Sequence, residues 1–231
     1  MEIKRIGYLN TLYKTKFGAP RQGGVTKCSP ATLIFDEEFR SKEALRGLEN
    51  YSHVWVIWGF SEAKYEKFSP TVRPPRLGGN TRMGVFATRS PYRPNSLAMS
   101  AMKLEKIEYT KENGYVLRLL GADMMNGSPV YDIKPYLAFS DSIPDAVCGF
   151  TEELEDYILN VVIPPELERL LPASIIPCLK EILENDPRPS YIDTPERVFG
   201  FELDSYEIKF KVQDKTLSVV GVEKLSGDKE K

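Results

Sequence analysis

Histidine is almost missing: the chain of 231 residues has one, His53. That excludes any mechanism needing two imidazoles and leaves a serine or cysteine nucleophile a single possible imidazole base. Cysteine is scarce too. Cys28, Cys148 and Cys178 are odd in number and far apart, which predicts reduced thiols rather than a disulfide framework. No cysteine or histidine cluster has zinc spacing, so no metal is expected. No apolar run approaches the roughly 20 residues of a membrane span. The first residues, MEIKRIGYLN, lack the apolar core of a secretory signal. A cytoplasmic protein without membrane association is therefore expected. No Gly-x-Gly-x-x-Gly follows a strand and no Gly-Lys-Ser/Thr P-loop occurs, so the usual dinucleotide and ATP cradles are absent.

Acidic residues are missing from one long stretch, residues 67–104. Paired carboxylates are thereby absent there, which argues against a glycosidase site. What the stretch does hold is Lys67, Arg73, Arg76, Arg82, Arg89, Arg93 and Lys103. The whole chain carries −2, so the remainder sums to −9, with 24 basic residues against 33 acidic. Such a local asymmetry points to a polyanion or a phosphate-bearing partner. The stretch is also stiff. Pro70, Pro74, Pro75, Pro91 and Pro94 restrict φ, while Gly78, Gly79 and Gly84 permit tight turns. A merely solvated loop has little need of such constraints. A loop that aims five arginines does.

Apolar residues make up 42% of the chain, enough for a core. Strands are predicted over residues 3–9, 31–35, 51–60, 84–87, 115–122 and 130–133. Residues 97–109 read as a long bent strand, although Met99, Ala101 and Met102 also fit a helix. A short helix is predicted over 41–48, with Ser41 as N-cap and Gly47 near its end. His53 falls in the run YSHVWVIWGF, where it reads as a histidine inside a core. Many short strands with frequent turns predict a mainly β, barrel-like N-terminal domain over residues 1–150. Residues 151–231 read as a smaller α+β domain. Its helices fall at 165–171 and 173–185, with Pro177 in a first turn or at a kink. A hairpin is expected from 198–212 and 216–222.

Three polar loops have no obvious core role: 20–24, 73–95 and 126–136. Converging at a barrel mouth, they would offer guanidinium groups for carboxylate or phosphate. Physics alone leaves a nucleic-acid-binding module without catalysis and a group-transfer enzyme both open.

The run Arg82-Met83-Gly84-Val85-Phe86-Ala87-Thr88-Arg89-Ser90-Pro91-Tyr92-Arg93-Pro94-Asn95 resembles the TsaA/TrmO-like (YaeB-type) tRNA methyltransferases. So do Pro20-Arg21-Gln22, Gly47-Leu48-Glu49, Arg73-Pro74-Pro75-Arg76-Leu77-Gly78-Gly79-Asn80, the run from Asn126 to Tyr136 (NGSPVYDIKPY), Asp141 to Ala146 (DSIPDA) and Asp186-Pro187-Arg188-Pro189-Ser190-Tyr191. The resemblance spans nearly the whole chain. It implies a β-barrel that binds S-adenosylmethionine without a Rossmann fold, in a homodimer. It further implies methylation of the exocyclic amino nitrogen of threonylcarbamoyl-adenosine (t6A) beside the tRNA anticodon, giving m6t6A. A methyltransferase acting on another amine is the alternative.

By the same resemblance, cofactor contacts fall to Pro20, Arg21, Gln22, Ser61, Glu62, Arg89, Leu117, Asn126, Gly127, Ser128 and Pro129. Asp132, Tyr136 or Glu62 would take the substrate proton. Arg89 or Arg93 would hold a carboxylate, and Asn95 would fix its loop or meet a base edge. Two departures stand out. The chain has Ser96-Leu97-Ala98 where the family has a glycine-bearing run, and Asn126 where it has aspartate.

Overall fold

The computed structural model describes residues 2–20, 23–24, 26–63, 67–74, 77, 80–154, 158–188, 194 and 196–225. Its strands are β1 (Gly7–Thr11), β2 (Pro30–Phe35), β3 (His53–Gly59), β4 (Thr71–Val72), β5 (Met83–Gly84), β6 (Leu97–Thr110), β7 (Gly114–Leu120) and β8 (Ser128–Pro135) in the N-terminal region. The C-terminal region adds β9 (Asn160–Val162), β10 (Phe199–Leu203), β11 (Tyr206–Gln213) and β12 (Thr216–Lys224). Helices are few: α1 (Ala138–Asp141), α2 (Pro165–Glu168) and α3 (Ile176–Glu184).

Six strands close a barrel in the order β1-β2-β7-β6-β3-β8, every neighbour antiparallel. Closure leaves the sheet no open edge. Alternation explains which side chains fill it. Along β3, Val54, Val56 and Trp58 are buried, while Trp55 and Ile57 on the other face are only half-buried. Leu9, Leu33, Met102, Leu117, Leu119 and Val130 join them in one core. The long β6 bends where its register with β7 shifts between Leu104 and Lys106, as a β-bulge does. Ala98 lies within β6, paired with Trp58. An extended backbone there needs no glycine.

Several expected elements differ. Residues 41–48 form no α-helix; Glu43–Leu45 and Leu48–Asn50 make separate 3-10 turns on either side of Gly47. Of the strand expected at 84–87, Met83–Gly84 is extended and Val85–Ala87 is a 3-10 turn. His53 is exposed at the start of β3, its Nδ1 2.9 Å from Ser52 Oγ. It is not a core residue, because the burial pattern of β3 begins one position later, at Val54.

The C-terminal sheet runs β10-β11-β12-β9, with β9 parallel to β12. The hairpin expected there is a three-strand meander, split by Asp204 at φ 55. Pro177 does lie in the first turn of α3. Cys178, Leu179, Ile182 and Leu183 of that helix are buried. This region packs directly on the 12–29 connection of the barrel. Asp204 N–H donates to Leu12 O at 2.9 Å. Tyr13 Oη donates to Ser29 Oγ at 2.7 Å and lies 3.9 Å from Cys178 Sγ. Cys28 donates to Glu181 Oε2 through both its N–H and its Sγ, each at 3.1 Å. Among the described residues no helix is long and apolar enough to cross a membrane.

Candidate active site

Register places three connections at one end of the barrel. Leu9 stands opposite Ser128, Pro30 opposite Leu120, and Gly59 opposite Leu97. The 12–29, 60–96 and 121–127 connections therefore leave from the same rim. They also touch. Asn126 Oδ1 accepts the Thr11 N–H at 3.0 Å, and Asn126 N–H donates to Tyr13 O at 2.7 Å. Ser128 N–H reaches Met125 O at 3.2 Å with Gly127 at φ 80, the geometry of a type II turn, which favours glycine at its third position. Lys16 meets Glu62 at 3.6 Å.

Asp123 sits where these connections meet. Its Oδ1 accepts the Ser100 hydroxyl at 2.6 Å, and Ser100 Oγ accepts the Trp58 indole N–H at 3.0 Å. A Cβ built on Gly23 would stand 3.3 Å from Ser100 Cβ and 3.4 Å from Asp123 Oδ2. Glycine thus lets the chain pass close to both groups. Burial pushes the Asp123 carboxyl up to about 6, against the opposing pull of Ser100, the Gly23 main chain and the Arg89 charge. The sequence reading did not single out this residue. The available signal was a lone acid in the apolar run Leu119-Leu120-Gly121-Ala122-Asp123-Met124-Met125.

The basic stretch is shaped by its own contacts. Arg93 Nη1 donates to Thr88 O at 2.6 Å and to Val85 O at 3.2 Å. Its guanidinium also stands 5.6 Å from the centre of the Phe86 ring. Arg82 Nη1 donates to Thr71 Oγ1 at 3.2 Å, bracing β4 against β5. Arg89 and Asn95 are exposed. Aromatic rings face outward: Phe86 is 70% exposed and Tyr92 49%.

Pro20, Ser61, Glu62, Arg89, Asn126, Gly127, Ser128 and Pro129 all lie on the rim or in its loops. Arg21 and Gln22 lie outside the described residues. Three expectations need correction. Leu117 is fully buried inside the barrel, and its main chain is paired with Leu33 on one side and Ile107 on the other. It has no surface left for a ligand. Arg93 spends its Nη1 on two main-chain carbonyls, so it holds the loop rather than reaching out of it. Asp132 and Tyr136 do not reach this rim. Asp132 pairs with Lys134 at 2.8 Å on the outer wall, opposite Ile57. Tyr136 lies eight positions beyond Ser128, about 26 Å away along an extended strand, with its ring 5.4 Å from that of Trp55. Trp55 in turn donates to Asp141 Oδ2 at 2.8 Å.

Residues 8–142 match the tRNA-methyltransferase O N-terminal domain, and residues 158–225 match the TrmO C-terminal domain. The tRNA (adenine(37)-N6)-methyltransferase of Escherichia coli strain K12 is 36% identical over 230 residues, spanning 96% of this chain and 97% of that protein. The protein of the same name from Eikenella corrodens is 45% identical over 172 residues, or 71% of this chain and 92% of that one. A crystal structure of TrmO from Pseudomonas aeruginosa superposes with a TM-score of 0.75 at 29% identity, covering 96% of this chain and 98% of the other. The two regions thus match and superpose together, and the chain belongs to the tRNA-methyltransferase O family.

Proposed function

We propose that this protein transfers a methyl group to the exocyclic nitrogen of t6A in the tRNA anticodon loop, giving m6t6A, as a cytoplasmic homodimer. It is an S-adenosylmethionine-dependent tRNA adenine-N6 methyltransferase: two relatives are named for the tRNA reaction, and another, from Pseudomonas aeruginosa, as a putative S-adenosylmethionine-dependent methyltransferase. The observation that carries the reading is the convergence of the three connections on one rim.

The rim suits the cofactor chemically. It carries an exposed guanidinium, Arg89, and the Asp123 carboxylate. It also holds Gly23, whose missing side chain leaves room beside Ser100 and Asp123. When bound, S-adenosylmethionine supplies an electrophilic methyl carbon with a good leaving group. The protein's own task is to hold and orient. Pro20, Arg89, Ser61 and the 126–129 turn would hold it. Arg21 and Gln22, in the same loop by sequence, complete the proposed set.

The RNA side follows from the basic stretch. Exposed Arg73 and Arg82 suit phosphates and the threonyl carboxylate of t6A, and Phe86 and Tyr92 offer faces for splayed bases. Asn95 is free at the surface to meet a base edge. The catalytic body comprises residues 1–150, and residues 151–231 buttress the 12–29 loop. For the proton lost from nitrogen, Glu62 stands at the rim beside Lys16. Asp132 and Tyr136 stand on the outer wall, away from it.

The test is methylation of total tRNA from cells lacking the protein, followed by nucleoside mass spectrometry. Labelled methyl on t6A alone is expected. Label on unmodified adenosine or on another amine rejects this substrate.

A further inference from the structure

Asp123 is a charge at the centre of the rim to which the reading above gives no ligand. The hydrogen bonds around it have a fixed direction. An indole N–H can only donate, and Trp58 donates to Ser100 Oγ at 3.0 Å. The serine hydroxyl has one hydrogen, and it goes to Asp123 Oδ1 at 2.6 Å. Oδ1 is therefore committed as an acceptor. Oδ2 is the oxygen turned toward Gly23, whose main chain also hydrogen-bonds the carboxylate, and it keeps further acceptor capacity.

The neighbouring charge completes a pattern. Arg89 acts on this carboxylate from the basic stretch. Ser100 and Trp58 face it from β6 and β3 without a titrating charge, and Gly23 faces it with main chain. Lys16 and Glu62, on the adjoining loops, are paired with each other. A guanidinium and a carboxylate on one rim match the two ends of an α-amino-acid zwitterion. The burial that pushes the Asp123 carboxyl up to about 6 means that its negative charge is poorly compensated in the free protein. A cation seated against it would relieve that penalty.

We propose that Asp123 is the cofactor's ammonium receptor: its Oδ2 pairs with the α-ammonium of S-adenosylmethionine while Arg89 takes the α-carboxylate. The inference rests on S-adenosylmethionine binding at this rim. It adds a recognition residue, and a pH dependence, for the amino-acid end of that ligand.

Titration calorimetry of the full-length protein with S-adenosylmethionine tests it without tRNA. Only the ionised carboxylate binds a cation, so protonation removes the competent form. With half-protonation at about 6, affinity near pH 5 should be about tenfold weaker than near pH 7. Asp123→Asn should bind weakly and equally at both. S-adenosylhomocysteine keeps the ammonium and lacks the sulfonium, so it should show the same pH dependence. Wild-type affinity that does not change with pH overturns the proposal. So does a pH dependence that survives Asp123→Asn, or one that S-adenosylhomocysteine fails to share. Should circular dichroism show Asp123→Asn unfolded, Ser100→Ala carries the test. It removes a donor that lowers the Asp123 pKa, so the binding midpoint should move to higher pH. An unmoved midpoint overturns the proposal. Absence of binding at every pH would instead reject the cofactor site itself.

Discussion

Asn126 Oδ1 accepts the main-chain N–H of Thr11 at 3.0 Å, tying the 121–127 connection to the last residue of β1. The relationship explains how asparagine replaces the aspartate usual in the family. Either side chain presents an oxygen at this position, and the N–H needs only an acceptor. Asn126→Asp should therefore leave stability within about 0.5 kcal/mol of the parent. Asn126→Ala orphans the partly buried Thr11 N–H and should cost about 1–2 kcal/mol. Urea unfolding midpoints of the two variants measure the difference.

Asp123 should make stability depend on pH in an uncommon sense for a carboxylate. Its folded-state pKa, about 6, lies above the ordinary 3.8. Between those values the native state binds more protons than the unfolded one, so stability falls as pH rises through this window. A shift of about two units is worth up to about 3 kcal/mol, less where water still reaches the group. Asp123→Asn should remove most of this slope, gaining stability at about pH 7 relative to about pH 4. Thermal melts of both proteins across that range would show it. Parallel curves would mean that Asp123 ionises without penalty.

Arg93 should matter to the shape of the loop and only through it to RNA. Arg93→Ala frees the carbonyls of Val85 and Thr88 and uncovers Phe86. Amide hydrogen exchange in residues 85–93 should rise, while S-adenosylmethionine affinity changes less than threefold. Arg89→Ala should behave in the opposite way. Among the described residues its side chain has no comparable main-chain duty, and losing a charge-assisted bond to a carboxylate costs about 1.5–3 kcal/mol, or about 10–100-fold in cofactor affinity.

β3 was legible because Val54, Trp55, Val56, Ile57 and Trp58 are all aromatic or β-branched, and strand preference of that kind is a local property. The rim loops were legible through their proline, glycine and arginine content. The 41–48 segment misled. Its Ser41 Oγ does accept the Glu43 N–H at 3.2 Å, as an N-cap would. Yet Gly47 sits at φ 88 and breaks the run after a single turn, too short to repay helix nucleation. The split between β10 and β11 was hidden because Asp204 takes a left-handed turn that carries no Asn-Gly or Asp-Gly signature. Asp123 was invisible for another reason. Its partners Ser100, Trp58 and Gly23 come from three distant segments. Only closure of the barrel brings them together.

Phosphate contact should be visible in salt dependence. For single-stranded RNA, log affinity falls with log salt at a slope of about −0.7 per neutralised phosphate. Arg82 is exposed at the edge of β4 and β5. Arg82→Ala should weaken binding of an anticodon stem-loop and flatten that slope by about 0.7. Fluorescence anisotropy at several salt concentrations measures both. An unchanged slope would take Arg82 off the phosphate track.

The thiols should report the seam between the barrel and the C-terminal sheet. Burial, reinforced by the Glu181 carboxylate, pushes Cys28 up to about 12, and burial raises Cys178 as well. At about pH 8 the reactive thiolate is then only ~10⁻⁴ of Cys28. Cys148 is exposed. Brief alkylation of the native protein should therefore modify Cys148 first, as read by peptide mass spectrometry. Glu181→Ala removes the acceptor that holds both the N–H and the Sγ of Cys28. It should lower the Cys28 pKa by removing an adjacent negative charge, and it should loosen α3 from the 12–29 connection. Both changes speed Cys28 alkylation. If Cys28 already reacts as fast as Cys148 in the parent, α3 does not seal this seam in solution.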